Sequence, residues 1–367
     1  LIHTLRTGIN DFGIKLKLCF FAPTSSLNPE LTEKYQKNIL QCTRQFVYSN
    51  DVKNSIDMVL SLNGIPIIAL ELKNQFTYQD LSDSIEQWQN YRNPKEPLFH
   101  FDNRILAYFG CDLYEAAMAT ELKGEKTYFM PFNQGSNGAG NVGGAGNPQA
   151  DGDEYVTSYL WRDVLRRDML LAILQRYIMR QKEEKMSIII DKHGKEKEVT
   201  NESEKIIFPR YHQLDVVEKL IHDTAEKGSG TNYLIQHSAG SGKSNSIAWL
   251  TYRLSSLHDK ENKNIFKGVF VVTDRRVLNK QLQDTILGFE HVEGTVTTIT
   301  EKDANASEKL RDAINNDSTG IVITTLQRFP QIYEQITQHG GNRYAVVVDE
   351  AHHVGLARAG QRVSDIS

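Results

Sequence analysis

The stretch "SIDMVLSLNGIPIIALELKNQ" (55–75) decides how the first third of the chain is read. Two apolar runs, 55–62 and 65–72, flank Asn63-Gly64, the strongest short-range signal for a two-residue hairpin turn. The second run ends in Glu71-Leu72-Lys73. Side chains alternate along a strand, so Glu71 and Lys73 share one face and Leu72 points away. Asp57 lies on the first run, 14 residues before Glu71. In a regular two-residue hairpin Leu62 pairs with Ile65 and Asp57 with Leu70, which turns Asp57 away from Glu71. A one-residue bulge brings the two carboxylates face to face. Pro66 cannot donate to a ladder and suits such an irregularity. The expectation is a bulge or a three-residue loop near 63–66. The tripeptide alone settles nothing, because Glu-Leu-Lys recurs at 121–123, where only Asp112 offers a comparable partner.

The chain has 367 residues, too many for one ordinary core, and two or three domains are expected. Apolar residues make up 40% and charged ones 24%, the balance of a soluble globular protein. The net charge of −4 gives no overall basic bias, so contact with DNA has to come from local patches. Cys19, Cys42 and Cys111 lack metal-ligand spacing and fit a reducing cytoplasm. No apolar run reaches the length of a membrane span. The start, "LIHTLRTGIN", is no signal peptide and lacks Met, so a chain cropped at its N-terminus is expected.

Residues 14–130 read as strands with few helices: 14–21, 44–49, 55–62, 65–72, 104–112 and 126–132. One helix is expected over 78–92, with Leu81, Ile85 and Trp88 at helical spacing and Pro94 closing it. Residues 133–153 are a Gly/Asn-rich tract that reads as a flexible surface loop. "YLWRDVLRRDMLLAILQRYIMRQKEEK" (159–185) reads as an amphipathic helix. Its arginines form a solvated face or touch DNA phosphate. A hairpin turning at His193-Gly194 is expected over 187–199. From about 206, short buried strands (232–237, 268–273, 320–325, 344–350) alternate with helical stretches, the pattern of a doubly wound parallel sheet. The expected division is 1–155, a connector 156–205, and 206–367.

"HSAGSGKS" (237–244) follows an expected strand and opens an expected helix, the context a phosphate-binding loop requires. Gly240 and Gly242 let the backbone curl so that its N–H groups, with Ser241 between them, aim at phosphate oxygens. Lys243 reaches the outer phosphates of ATP and Ser244 holds Mg²⁺. His237 stands where the strict pattern has Gly. "YAVVVDEAHH" (344–353) supplies a buried strand ending in Asp349, placed for the nucleotide's Mg²⁺, and Glu350, placed to polarise the attacking water.

These two motifs and two between them resemble superfamily 2 helicases and translocases. "VVTDRRVLNKQL" (271–282) and "IVITTLQRF" (321–329) resemble the loops that grip the nucleic-acid backbone, which makes Arg275, Arg276, Thr324 and Thr325 the candidates. "FPRYHQLDVVEKL" (208–220) resembles the adenine-reading motif, with Gln213 at adenine and Arg210 assisting.

Asp57, Glu71 and Lys73 in turn resemble the Asp…Glu-x-Lys set of the restriction-type nuclease fold, in which two carboxylates bind Mg²⁺ and the Lys orients or deprotonates the attacking water. Gln87 and Tyr91 lie one helical turn apart and resemble the Gln-x-x-x-Tyr pair of its RecB-like branch. The resemblance implies an α/β, restriction-endonuclease-like nuclease domain followed by a RecA-like domain.

A nuclease ahead of such a motor, with phrases such as "GIPIIALELKN", "EPLFHFDNR" and "YLWRDVLRRDMLLAIL", resembles the R subunit of type I restriction–modification enzymes. That resemblance implies ATP-dependent translocation of double-stranded DNA, Mg²⁺-dependent cleavage, and assembly with DNA-specificity and methyltransferase subunits in a bacterial or archaeal cytoplasm. The second RecA-like domain is missing before Ser367, and "VGLARAGQRVSDIS" (354–367) departs from the family's pattern. A fragment that hydrolyses ATP poorly on its own is therefore expected. Two other readings stay open: a stand-alone nuclease–helicase of repair or defence, and a non-catalytic DNA-binding scaffold.

Overall fold

The Asn63-Gly64 turn sits within a six-stranded sheet whose strands follow chain order, neighbour to neighbour. They are β1 (Leu40–Val47), β2 (Ser55–Leu62), β3 (Ile65–Leu72), β4 (Ala107–Cys111), β5 (Ala116–Ala119) and β6 (Met130–Pro131). The computed structural model describes residues 1–25, 27–49, 54–150, 152, 154–190, 196–238, 240–273, 276–289, 295–299, 305, 308–309, 320–325 and 342–351, leaving aside the side chains of 183–201 and 276–281. Arg275, the His193-Gly194 turn, residues 354–367 and the side chain of Arg276 lie outside this description.

Asn63 and Gly64 both take positive φ, 49° and 84°, the backbone of a type I′ turn. Leu62 then pairs with Ile65 and Ser61 with Pro66. Between Ser61 and Leu60 the register shifts, so that Leu60 meets Ile68 and Met58 meets Leu70. Ile67 is the extra residue, directly after the Pro66 that has no N–H to give. The expected bulge is present, two ladder pairs beyond a two-residue turn.

β3 and β4 run parallel, with Glu71 beside Gly110, while the other pairs of this sheet are antiparallel. A parallel pair needs a crossover, and the segment between them carries helix α1 (Leu81–Asn90). A capping box starts α1: Asp80 accepts from Ser82 N–H and Asp83 accepts from Asp80 N–H. Trp88 is fully buried and donates its indole N–H to the Phe109 carbonyl at 3.0 Å. Gly110 permits the close approach, because a Cβ there would lie 2.7 Å from Ser84 Oγ. Ile56, Val59, Ala69, Trp88, Phe99 and Tyr108 belong to the core packed here.

By contact the chain forms two units, Leu1–Pro23 with Asn28–His212 and Thr24–Leu27 with Gln213–Ser367. The second holds a parallel sheet, β7 (Gly268–Thr273), β8 (Val296–Ile299), β9 (Gly320–Thr325) and β10 (Tyr344–Val348), in the order β8-β9-β7-β10. β7 is buried along its whole length, as a strand covered on both faces must be. The chain is thus mixed α/β, as expected.

Several elements differ from the reading. Residues 232–237 form no strand: Leu234 is 89% exposed, and none of the described strands pairs with this segment. Strand-forming side chains make a strand only where a ladder accepts them. The helix expected over 159–185 is a π-helical turn (Leu160–Val164), a short α-helix (Arg167–Ala172) and a second π-helical turn (Ile173–Tyr177). From Met179 the chain pairs instead, residue for residue, with Glu196–Ile207 in a long hairpin. Of 14–21 only Ile14–Leu16 is strand, and of 126–132 only Met130–Pro131.

Candidate functional site

The bulge sets the geometry of the first site. Continuing the ladder from Met58 and Leu70 brings Asp57 opposite Glu71. Glu71 is fully buried at the end of β3. α1, held against β3 by Ser84 Oγ donating to the Glu71 carbonyl at 3.0 Å, aims Gln87 at the same carboxylate. Gln87 Nε2 donates to Glu71 Oε2 at 2.9 Å, and Lys73 Nζ donates to Gln87 Oε1 at 2.5 Å. Glu71, Lys73 and Gln87 therefore form one connected chain, and Asp57 closes on it: its Oδ2 accepts from Leu72 N–H at 2.8 Å. Tyr91 caps α1 and is 64% exposed, at the rim. Lys73, Asp83, Gln87, Tyr91 and Arg92 are among the residues lining a cleft of about 410 Å³.

Arg92 was not singled out in the sequence. It is buried, and its Nε donates to Glu71 Oε1 at 2.8 Å. Its Nη2 reaches the same oxygen and also the Ser55 carbonyl, at 2.8 Å. A buried carboxylate requires a cation, and the residue after Tyr91 was the available one. Even so, the Glu71 carboxyl is pushed up to about 7. Burial is the largest cause; Arg92 opposes it, and the facing Asp57 charge adds to it. The upward direction is consistent with full burial beside a like charge.

The second Glu-Leu-Lys is different. Leu122 is buried, Glu121 and Lys123 pair with each other at 2.7 Å, and Asp112 accepts from the N–H groups of Leu81, Tyr114 and Glu115. Its carboxylate serves the local backbone.

In the second unit, Gly240 and Gly242 have φ 73° and 82°, and helix α2 (Lys243–Ser255) opens directly after them with Ser244 in its first turn. Gln213 is buried and donates Nε2 to the carbonyls of Ser241 and Gly242, at 3.1 and 3.0 Å. A Cβ at Gly242 would lie 2.4 Å from that nitrogen. Gln213 thus braces the loop here. Arg210 stands one residue before helix Tyr211–Lys227, in the first unit.

Lys243 Nζ donates to Glu350 Oε1 at 2.9 Å, which raises the Lys243 pKa. Glu350 takes a left-handed backbone, φ 53°, and its N–H donates to Asp349 Oδ1 at 3.0 Å. Burial, then the Glu350 charge, raises the Asp349 pKa. Thr324 and Thr325 are buried at the end of β9 and their hydroxyls have no partner among the described residues. The structure places both at the end of the buried strand β9.

Two families match, in tandem. Residues 30–136 match the type I restriction enzyme R protein N terminus, and residues 212–366 match the SWI2/SNF2 ATPase family. Among curated relatives, the type I restriction enzyme SauCOLORF180P endonuclease subunit of Staphylococcus aureus is 24% identical over 88% of this chain and 30% of its own length. The HindI endonuclease subunit of Haemophilus influenzae is 26% identical over 81% of this chain and 26% of its own. A putative type I endonuclease subunit of Methanocaldococcus jannaschii, MjaVIIIP, is 25% identical over 70% of this chain and 22% of its own. The resemblance to type I restriction R subunits therefore stands, and the chain spans about 30% of the length of the S. aureus relative.

Proposed function

We propose that this chain carries the nuclease and the first motor domain of a type I restriction R subunit. In that reading the six-stranded unit has the restriction-endonuclease-like fold and the parallel unit the RecA-like fold. The whole subunit would translocate double-stranded DNA at the expense of ATP, cleave it, and assemble with DNA-specificity and methyltransferase subunits in a prokaryotic cytoplasm. The observation that carries the reading is Asp57 facing Glu71 across the bulge, with Lys73 tied to Glu71 through Gln87.

Among the described residues no group of three or more His, Cys, Asp or Glu side chains is arranged to hold a metal ion. Mg²⁺ needs fewer, because it keeps several waters and takes one or two carboxylates. Asp57 lies within hydrogen-bonding reach of Glu71, and two hard oxygen donors that close fit a divalent cation. Mg²⁺ held there would supply Lewis-acid polarisation of the phosphodiester and a water of lowered pKa. Lys73 offsets charge on the phosphate and orients the water. Gln87 fixes both Lys73 and Glu71, and Arg92 keeps the buried Glu71 in place. In the motor, Lys243 and the Gly240–Gly242 backbone would hold the phosphates of ATP, and Ser244 and Asp349 its Mg²⁺; Lys243 would exchange its Glu350 partner for phosphate on binding.

The test is Mg²⁺-dependent cleavage of double-stranded DNA by the assembled enzyme with wild-type or Asp57→Ala R subunit. Cleavage should vanish in the variant; equal rates would remove the nuclease reading.

A further inference from the structure

Gln45 stands opposite Asp57 on β1, between the pairs Arg44–Met58 and Phe46–Ile56, yet it contributes no ladder pair. Its backbone is left-handed, φ 48°, in mid-strand. For a non-glycine residue that conformation is strained and persists only where the surroundings hold it. Two side-chain hydrogen bonds accompany it. Gln45 Nε2 donates to Asp57 Oδ1 at 3.0 Å, and Ser55 Oγ donates to Gln45 Oε1 at 2.9 Å. The bond from Ser55 sets the sense of the amide, turning its NH₂ end to the carboxylate.

The same Ser55 offers its carbonyl to Arg92, which in turn grips Glu71. A ring of contacts thus runs from Glu71 through Arg92, Ser55 and Gln45 to Asp57. Asp57 is held at both oxygens, Oδ1 by Gln45 and Oδ2 by the Leu72 N–H. Each oxygen keeps a lone pair for a cation.

We propose that Gln45 is a positioning residue for divalent-cation binding at this site, orienting Asp57 toward Glu71, and that the strained backbone at 45 is what brings its amide there. This rests on the reading of Asp57 and Glu71 as cation ligands. Partners that orient a metal ligand commonly change metal affinity 10- to 100-fold when removed.

The test is calorimetric titration of Mg²⁺ into the full chain without nucleotide. Gln45→Gly is the informative variant, because it removes the amide and relieves the strained φ. Its thermal midpoint should hold or rise, while the Mg²⁺ concentration at half-saturation climbs about 10-fold. Gln45→Leu, which keeps bulk without the amide, should weaken Mg²⁺ by a similar factor. Wild-type Mg²⁺ affinity in both variants overturns the inference, as does a lowered thermal midpoint with unchanged affinity, the mark of a merely structural role. Asp57→Asn separates the two layers. If it loses Mg²⁺ binding while the Gln45 variants keep it, only the role of Gln45 falls. If it binds Mg²⁺ like wild type, the cation site is not here and the inference falls with it.

Discussion

The carboxylate site and the glycine-rich loop at 240–242 are assembled over very different lengths of chain. The first is complete between Gln45 and Arg92, on neighbouring strands and one helix laid across them. The second depends on Lys243 meeting Glu350, 107 residues away, at the end of a parallel strand. In the first, the groups are held in place by one another: Lys73 by Gln87, Glu71 by Gln87 and Arg92, Asp57 by Gln45 and Leu72. In the second, the groups that would face a nucleotide neutralise or brace each other, Lys243 with Glu350 and Gln213 with the loop carbonyls. A site built on adjacent strands is preorganised by secondary structure. One built across a sheet has to exchange internal contacts for ligand contacts.

The sharpest break between the two comes from removing one group in each. Asp57→Ala should lower cleavage by at least about 1,000-fold, since on the proposed reading it removes one of the two carboxylates that would hold the cation. It should leave nucleotide binding by the second unit unchanged. Lys243→Ala should do the reverse, abolishing measurable ATP binding and leaving Mg²⁺ titration of the first site as in wild type. If Lys243→Ala disturbed that titration as strongly as Asp57→Ala does, the two sites would not be independent constructions.

Arg92→Leu measures how much the first site depends on its internal pairing. It strands Glu71 in the core without its cation, and breaking a buried pair from one side costs about 3 kcal/mol. Urea unfolding of the full chain, following the transition of the first unit, should show a loss of that order. Arg92→Leu with Glu71→Gln should recover most of it, because a neutral amide needs no guanidinium. A single variant as stable as wild type would mean that the Arg92–Glu71 contact is incidental.

In the second site the corresponding lever is the backbone. Gly242 has φ 82° and no room for a Cβ beside Gln213, whereas Gly240, at φ 73°, has nothing within 4 Å of that position among the described residues. Gly242→Ala should therefore weaken binding of a fluorescent ATP analogue by about 10-fold or more, from strain plus displacement of the brace. Gly240→Ala should lose less, from strain alone. Equal losses would show that Gln213 plays no part in shaping the loop.

How far the sequence could be read follows the same division. Asn63-Gly64, period-two alternation and Pro66 sufficed to place the bulge, because each acts on its immediate neighbours. The helical spacing of Leu81, Ile85 and Trp88, with Pro94 beyond it, likewise placed the helix that carries Gln87. Arg92 escaped because its role comes from a carboxylate 21 residues earlier, though a charged residue beside a buried apolar helix face was a usable sign. Gln45 escaped because its partner is across a strand pair. Residues 179–185, rich in Lys, Glu and Gln, favour helix locally, yet they pair with 201–207. Residues 232–237 have strand-forming side chains but no ladder among the described strands. In both cases the deciding contact, or its absence, is non-local.

A further expected effect is a pH dependence confined to the first site. Burial, and after it Asp57, lifts Glu71 to about 7 against the pull of Arg92. Its folded value exceeds the ordinary 4.5, so between those values the metal-free folded chain holds a proton that the unfolded chain has released. Stability therefore falls as pH rises through that window, by about 3 kcal/mol in all, and is flat above it. A bound cation competes with the same proton. Mg²⁺ affinity should thus rise with pH up to about 7, by at most about tenfold per unit, and then level off. Below that plateau, binding should release close to one proton, visible as a dependence of the titration heat on the ionisation enthalpy of the buffer. Glu71→Gln should abolish that release. Affinity that stays constant from pH 5 to pH 8 would mean that Glu71 is already charged in the folded chain, with Arg92 outweighing its burial.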